Sequence, residues 1–281
     1  CLVGSEMCIR DRNYRVIKRG LQRYELYIRT TKRGQKAFVL DIDQVTADTL
    51  RNIWDFLENE YRYCALYPEI YEAIPEARTP QPRGKNTLLD CFSRIRTFFY
   101  WCNSNKKTRN RPFDDFPLEE CTYGTPYYIT VEELHKIYGT NLMRHPQLAV
   151  QRDIFVFQCL IGCRVGDLLK MTKSNLIDGA IEYIPRKTKE GRPLTVRVPL
   201  NQTAKEIVSR YKSLDGDKLL PFISEQKYNV AIKRAFLAAR LRRPVTVVNP
   251  VTREQEVKPL NELASSHLAR RCFVGNLYKQ V

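Results

Sequence analysis

Cys159-Leu-Ile-Gly-Cys-Arg-Val-Gly-Asp-Leu-Leu169 is the stretch on which the reading of this chain turns. An apolar run, Ile154 to Phe157 and then Cys159 to Ile161, leads into it and is long enough for a buried helix. The run stops at Gly162, and a guanidinium follows at Arg164. An arginine at the end of a core helix stays charged whatever surrounds it, so it needs an anionic partner. Asp167, three residues on, is one partner. A phosphate is another, because the guanidinium fork fits its oxygens bidentately. Taken alone, the stretch leaves open an Arg–Asp pair that fixes a helix–helix turn and an anion site.

Composition narrows the choice. With 281 residues the chain is expected to form two domains, each with its own core. The net charge of +16 favours polyanions, so nucleic acid is the first partner to consider. A merely basic protein or an anionic-membrane binder would share that charge. No apolar run approaches the roughly 18 residues needed to span a bilayer. The nine cysteines and three histidines show neither zinc spacing nor a disulfide framework. Reduced thiols in a cytoplasmic compartment are expected, with no metal and no cofactor.

Residues 1–12 lack an initiator Met at position 1 and have no signal-peptide core, so they read as a non-native remnant. Residues 13–36 then carry eight Lys or Arg, Lys18 and Arg19 among them, against the single acid Glu25. Val16, Ile17, Leu21, Tyr24 and Ile28 recur near helical spacing, which predicts a basic amphipathic helix. Thr46 is placed to cap a second helix from about residue 49, and residues 64–86, with four prolines, read as a loop. A third helix is predicted over 86–103, with Leu88, Leu89, Phe92, Ile95, Phe98, Phe99 and Trp101 on its apolar face. It carries Arg94 and Arg96 and runs into Lys106 and Lys107. The aromatics are expected in the core and the cations on a DNA-facing surface. Residues 13–125 thus read as a helical DNA-binding module, ending in a turn-rich linker.

Thr130 to Glu133 has capping-box spacing, and a second domain is expected over 126–281. Ala180 to Ile184 and Leu194 to Val198 predict a β-hairpin turning at Glu190-Gly191, its tip crowded with Arg186, Lys187, Lys189 and Arg192. Such a tip also serves simply as a protected edge. Helices are expected over 203–211 and 227–241, and a second hairpin over 245–257. The last segment opens with Ser265 or Ser266 as helix cap, and His267 and Arg270 share one helical face near its N-terminus.

In order, Arg-x-x-Asp-Leu at 164–168, a hairpin lysine about 20 residues later and His-x-x-Arg at 267–270 resemble the tyrosine recombinase or phage integrase family, especially integrases of conjugative transposons. The resemblance covers residues 13–281 and extends to Lys218 to Phe222 and Tyr228 to Lys233. It implies a mainly α fold with small β-hairpins (α+β), a helical core-binding domain followed by an integrase-like catalytic domain. It implies site-specific recombination or integration of a mobile element through a 3′-phosphotyrosyl intermediate on double-stranded DNA, with self-assembly on DNA and no metal. Arg164 and Arg270 would bind the scissile phosphate, Asp167 would support Arg164, and Lys187, with Lys189 as rival, would protonate the leaving 5′-oxygen. His267 would bind the phosphate or move a proton. Fixed guanidiniums suit a reaction that builds charge on phosphate oxygens, each such donor being worth about 10²–10³ in rate. A general acid at a poor leaving group adds roughly 10²–10⁴.

The resemblance also implies a Gly-His box and then a nucleophilic tyrosine some tens of residues past His-x-x-Arg. Eleven residues follow Arg270, with Tyr278 the sole tyrosine among them, and Tyr278 reads as a packing residue. The nucleophile is therefore expected beyond residue 281, and these 281 residues are expected to bind DNA without cutting it. Rival readings are a non-catalytic DNA-binding regulatory module, in which the four groups need not converge, and a type IB topoisomerase.

Overall fold

The computed structural model describes residues 5–76, 78–186 and 193–278. They fall into two compact units, one of residues 1–123 with 248–254 and one of residues 124–247 with 255–281. The fold is mainly α with small antiparallel sheets.

The first unit is built on α1 (Ser5–Thr31), α2 (Ala47–Leu66), α3 (Pro68–Ala73) and α4 (Lys85–Ser104). Thr46 caps α2 as expected: its side chain accepts from the Thr49 backbone, and Thr49 returns the bond. α1 begins at Ser5, so part of the segment set aside as a remnant is helical. The proline-rich stretch read as a loop contains α3, because Pro68 sits in the first turn, where its missing N–H removes no helical bond. Tyr24, Ile28, Leu50, Ile53, Phe56, Leu88, Phe92, Ile95 and Phe99 form the core.

Two of the aromatics assigned to that core are outside it. Phe98 and Trp101 are 40% and 55% exposed and stack on each other at the surface. Leu88, Phe92, Ile95, Phe99 and Cys102 already complete one stripe of α4 at spacings of three and four, and Phe98 and Trp101 fall beside it.

Arg23, one of the eight cations of residues 13–36, is 1% exposed. Its Nε donates to the buried Glu60 at 2.5 Å and its Nη1 to Glu76 at 3.1 Å, while Arg83 lies 2.5 Å from the same Glu60 carboxylate. Burial alone would raise the Glu76 carboxyl, but hydrogen bonds from Arg19 and the charge of Arg23 outweigh it and hold the group below its ordinary value. The Glu76 contribution is therefore complete above the ordinary carboxylate range and is lost as the pH falls through and below it.

The second unit is assembled around α6 (Pro146–Ile161), which packs against α5 (Val131–Tyr138), α8 (Gln202–Arg210), α9 (Glu225–Ala238) and α11 (Ser266–Tyr278). α6 is buried on nearly every side, with Ile154, Phe155, Val156, Phe157, Cys159 and Ile161 in the core. It stops at Gly162, whose φ of +66° places it in the left-handed region that ends many helices. A short α7 (Val165–Leu168) follows.

The first predicted hairpin is present, as β2 (Ala180–Tyr183) paired antiparallel with β3 (Val196–Pro199) in the register Ile181↔Val198 and Tyr183↔Val196. A third strand, β1 (Leu176–Ile177), joins β2 through Asp178 and Gly179, both at positive φ. The second hairpin consists of β4 (Pro244–Val248) and β5 (Gln255–Pro259), and α10 (Leu260–Leu263) leads into α11. No helix among the described residues is long and apolar enough to cross a membrane.

The buried ion network of the first unit sets a test. Glu60→Leu alone leaves Arg23 under-compensated in the core and should cost about 3–5 kcal/mol, read as a lowered urea midpoint. Combining it with Arg23→Met should recover most of that loss. Additive losses in the double variant would contradict the assignment.

Candidate functional site

Four loop or helix ends of the second unit converge where α6 stops. Arg164 is the N-cap of α7 and is exposed; its carbonyl accepts the Asp167 and Leu168 N–H groups, and among the described residues its guanidinium makes no hydrogen bond or ion pair. The local Arg164–Asp167 pair is therefore not formed. The Asp167 carboxylate instead accepts the backbone N–H of Arg186 at 2.9 Å, anchoring the far end of β2 beside α7. Lys187, which follows at once, and Lys189 lie outside the described residues.

The second arginine arrives from α11. Arg270 Nη1 donates to the Gly162 carbonyl at 2.7 Å, two residues before Arg164. The left-handed turn makes this approach possible. A Cβ on Gly162 would fall 2.4 Å from the Phe273 ring, so only glycine lets α11 come this close. Arg270 and Phe273, three apart on α11, straddle that glycine.

His267 sits one turn earlier on α11 and is exposed. Partial burial, and then the charges of Arg271, Arg270 and Arg164 in that order, hold its imidazole below the ordinary histidine value. Three cations thus lie within electrostatic reach of one imidazole. The structure brings together Arg164, Asp167, His267 and Arg270.

Tyr183 and Arg271 are neighbours of this cluster that sequence reasoning did not assign. Tyr183, half-buried on β2, has its hydroxyl pushed up to about 12 by burial and by Cys163 and Asp167, against the opposing charges of Arg270 and Arg164. Arg271 lies 5.0 Å over the Tyr127 ring. Its signal was the Arg270-Arg271 doublet itself. Burial pushes the Cys163 thiol up, so it is a packed, protonated group. The Tyr278 side chain lies outside the described residues.

The cations proposed for DNA contact in the first unit differ among themselves. Lys18, Lys106 and Lys107 are exposed, and Arg96 is half-buried. Arg19 is bound through two nitrogens to Glu76 at 3.2 and 3.1 Å, and Arg94 likewise to Asp90 at 3.0 and 3.2 Å. Among the described residues no group of three or more His, Cys, Asp or Glu gathers to hold a metal. Cys64, Cys91, Cys102, Cys121, Cys159, Cys163 and Cys272 are free thiols.

A helical unit, then a helical unit with a small antiparallel sheet beside a buried central helix, is the fold of the tyrosine recombinases and integrases. Solved structures with this fold include lambda integrase bound to DNA, 17% identical, covering 94% of this chain and 87% of that one at a TM-score of 0.56. The Tn1549 transposon integrase in complex with transposon right-end DNA is 13% identical, covering 99% and 83% at 0.54. A lambda integrase dimer bound to a COC′ core site is 17% identical, covering 93% and 89% at 0.51. No protein-family model matches the sequence, and no curated protein does.

The ordering of charges around His267 is measurable. In an NMR titration the imidazole should titrate below the ordinary histidine midpoint, and removing a neighbouring cation should move it up. The rise should be largest for Arg271→Gln, smaller for Arg270→Gln and smallest for Arg164→Gln. A midpoint unmoved by all three would dissolve the cluster.

Proposed function

We propose that this chain binds duplex DNA and that Arg164, Arg270 and His267 close on one backbone phosphate, in the service of site-specific strand cleavage and rejoining through a 3′-phosphotyrosyl intermediate. The observation that carries the reading is the Arg270–Gly162 hydrogen bond, which ties the arginine of α11 to the turn that presents Arg164. Each guanidinium keeps donors beyond that bond. The Arg164 guanidinium has no ion-pair partner among the described residues, and with Arg270 and Arg271 nearby against the single carboxylate of Asp167 the turn carries an excess of positive charge. A phosphate bound there would be met by fixed donors, which need no reorganisation as charge builds on the non-bridging oxygens.

The neutral imidazole of His267 is suited to donate one hydrogen bond or to accept a proton, and bound phosphate would raise its affinity for a proton. Lys187 or Lys189 acts as general acid toward the leaving 5′-oxygen. The anchoring of Arg186 on Asp167 supports this, because it tethers the residue before Lys187 beside the arginine turn. Asp167 thus positions the hairpin. Tyr183, with its hydroxyl held protonated, serves as a donor and not as the attacking oxygen. Solved integrases of this fold are bound to DNA, one to a transposon end and one as a dimer on a core site. The substrate class proposed here is accordingly the end or junction of a mobile element, recognised by an assembly of more than one copy on cytoplasmic DNA.

Fluorescence anisotropy on a labelled duplex tests the reading. Binding should weaken steeply with salt, with a slope of about −0.9 per phosphate neutralised. Arg164→Ala and Arg270→Ala should each reduce that slope by about one contact. Arg210→Ala should leave it unchanged, because that guanidinium is already bound to the buried Asp153. A flat salt response, or equal effects of all three variants, would refute the phosphate site.

A further inference from the structure

The backbone that presents Arg164 is held by a buried polar relay that the phosphate-binding reading does not use. Gln158, in the last turn of α6, is completely buried. Its Nε2 donates to the Cys163 carbonyl at 3.2 Å, and its Oε1 accepts from the Tyr228 hydroxyl at 3.0 Å. The orientation of the amide is fixed by its partners. A backbone carbonyl can only accept, so the NH₂ must face Cys163 and the oxygen is left for the phenol. Tyr228 is 1% exposed on α9, and burial keeps its hydroxyl protonated and therefore a donor.

Two successive carbonyls ahead of Arg164 are thus claimed by side chains, Gly162 by Arg270 of α11 and Cys163 by Gln158 of α6, which is itself held by Tyr228 of α9. The residue next to Tyr228 does the same for the other cationic element. Asn229 Oδ1 accepts the backbone N–H of Ser266 at 2.8 Å, one residue before His267. Adjacent residues of α9 therefore hold the backbone leading into both halves of the site.

Apolar side chains at both 158 and 228 would fill the same space without burying an amide and a phenol. A fully satisfied buried network instead specifies one arrangement. We propose that Tyr228, acting through Gln158, and Asn229 are positioning residues: together they set the spacing between Arg164 and the His267–Arg270 pair that the phosphate must bridge. This rests on the phosphate-binding reading and deepens it.

The experiment is a double-variant cycle on the 281-residue chain, read as affinity for a labelled duplex, with the thermal midpoint of every variant recorded. Tyr228→Phe keeps the ring and removes only the donor; Gln158→Met keeps the volume and removes both bonds. Each should weaken DNA binding severalfold in the parent chain and should add little once Arg164→Ala is present, because the contact they position is already gone. Arg210→Ala combined with Tyr228→Phe should show no such masking. If Tyr228→Phe and Gln158→Met leave affinity intact while Arg164→Ala lowers it, the positioning role is wrong and the phosphate reading stands. Losses that stay fully additive with Arg164→Ala, tracking only the thermal midpoint, also overturn it. If Arg164→Ala itself has no effect, the phosphate reading fails and takes the proposal with it. Should Tyr228→Phe not fold, the His267 titration of Gln158→Met decides: an upward shift matching that of Arg164→Gln supports the relay, and an unmoved midpoint overturns it.

Discussion

The second unit depends on a single charged hydrogen bond, from Arg270 Nη1 to the carbonyl of Gly162. It requires a glycine in the left-handed region, so that the carbonyl turns outward and no Cβ intervenes. It requires the Phe273 ring against that glycine, one turn along α11 from the arginine. The result is a point where a core helix ends, a second helix begins and two guanidiniums share one neighbourhood. A hydrogen bond to a charged group contributes more than a neutral one. Removing it would release both elements together.

The arginines of the chain divide by what they face. Arg23 meets Glu60 and Glu76, Arg152 and Arg210 meet the buried Asp153, and Arg243 meets Glu133. In each case the positive charge is answered within the fold, and Tyr211 adds a hydrogen bond to Asp153. Arg164 and Arg270 are different: the carboxylate near them, Asp167, is occupied by a backbone N–H. The imidazole of His267 is held down by burial first and then by Arg271, Arg270 and Arg164, charges of one sign. Unanswered charge of one sign, fixed on rigid helix ends, is what distinguishes an anion site from a solvated face.

Much of this was legible in the sequence, where local chemistry decides the outcome. The apolar run ending at Gly162, the Thr130–Glu133 box and the His267–Arg270 spacing all read correctly from residue type and period. Long-range pairings were not legible. Glu60 and Glu76 lie 37 and 53 residues from Arg23, so nothing local separates that arginine from the other cations of its helix. The Gln158–Tyr228 bond spans 70 residues, and no local pattern announces it. Asp167 is close enough in sequence to be one partner of Arg164, and the family resemblance implies that it supports it, but α7 turns its carboxylate toward Arg186. The Asp178-Gly179 pair is a turn signal in its own right, and β1 ends on it. Helical spacing puts Phe98 and Trp101 on the apolar side of α4, but the buried stripe is narrower than that face and leaves them at its edge.

A crystal structure of the chain with a short duplex tests the central claim most directly. One phosphate should lie within hydrogen-bond distance of both the Arg164 and Arg270 guanidiniums, with His267 at its side and the Arg270 bond to the Gly162 carbonyl intact. A complex in which the two arginines contact different phosphates, or in which the DNA lies on another face and leaves the turn at Gly162 in solvent, would contradict the account.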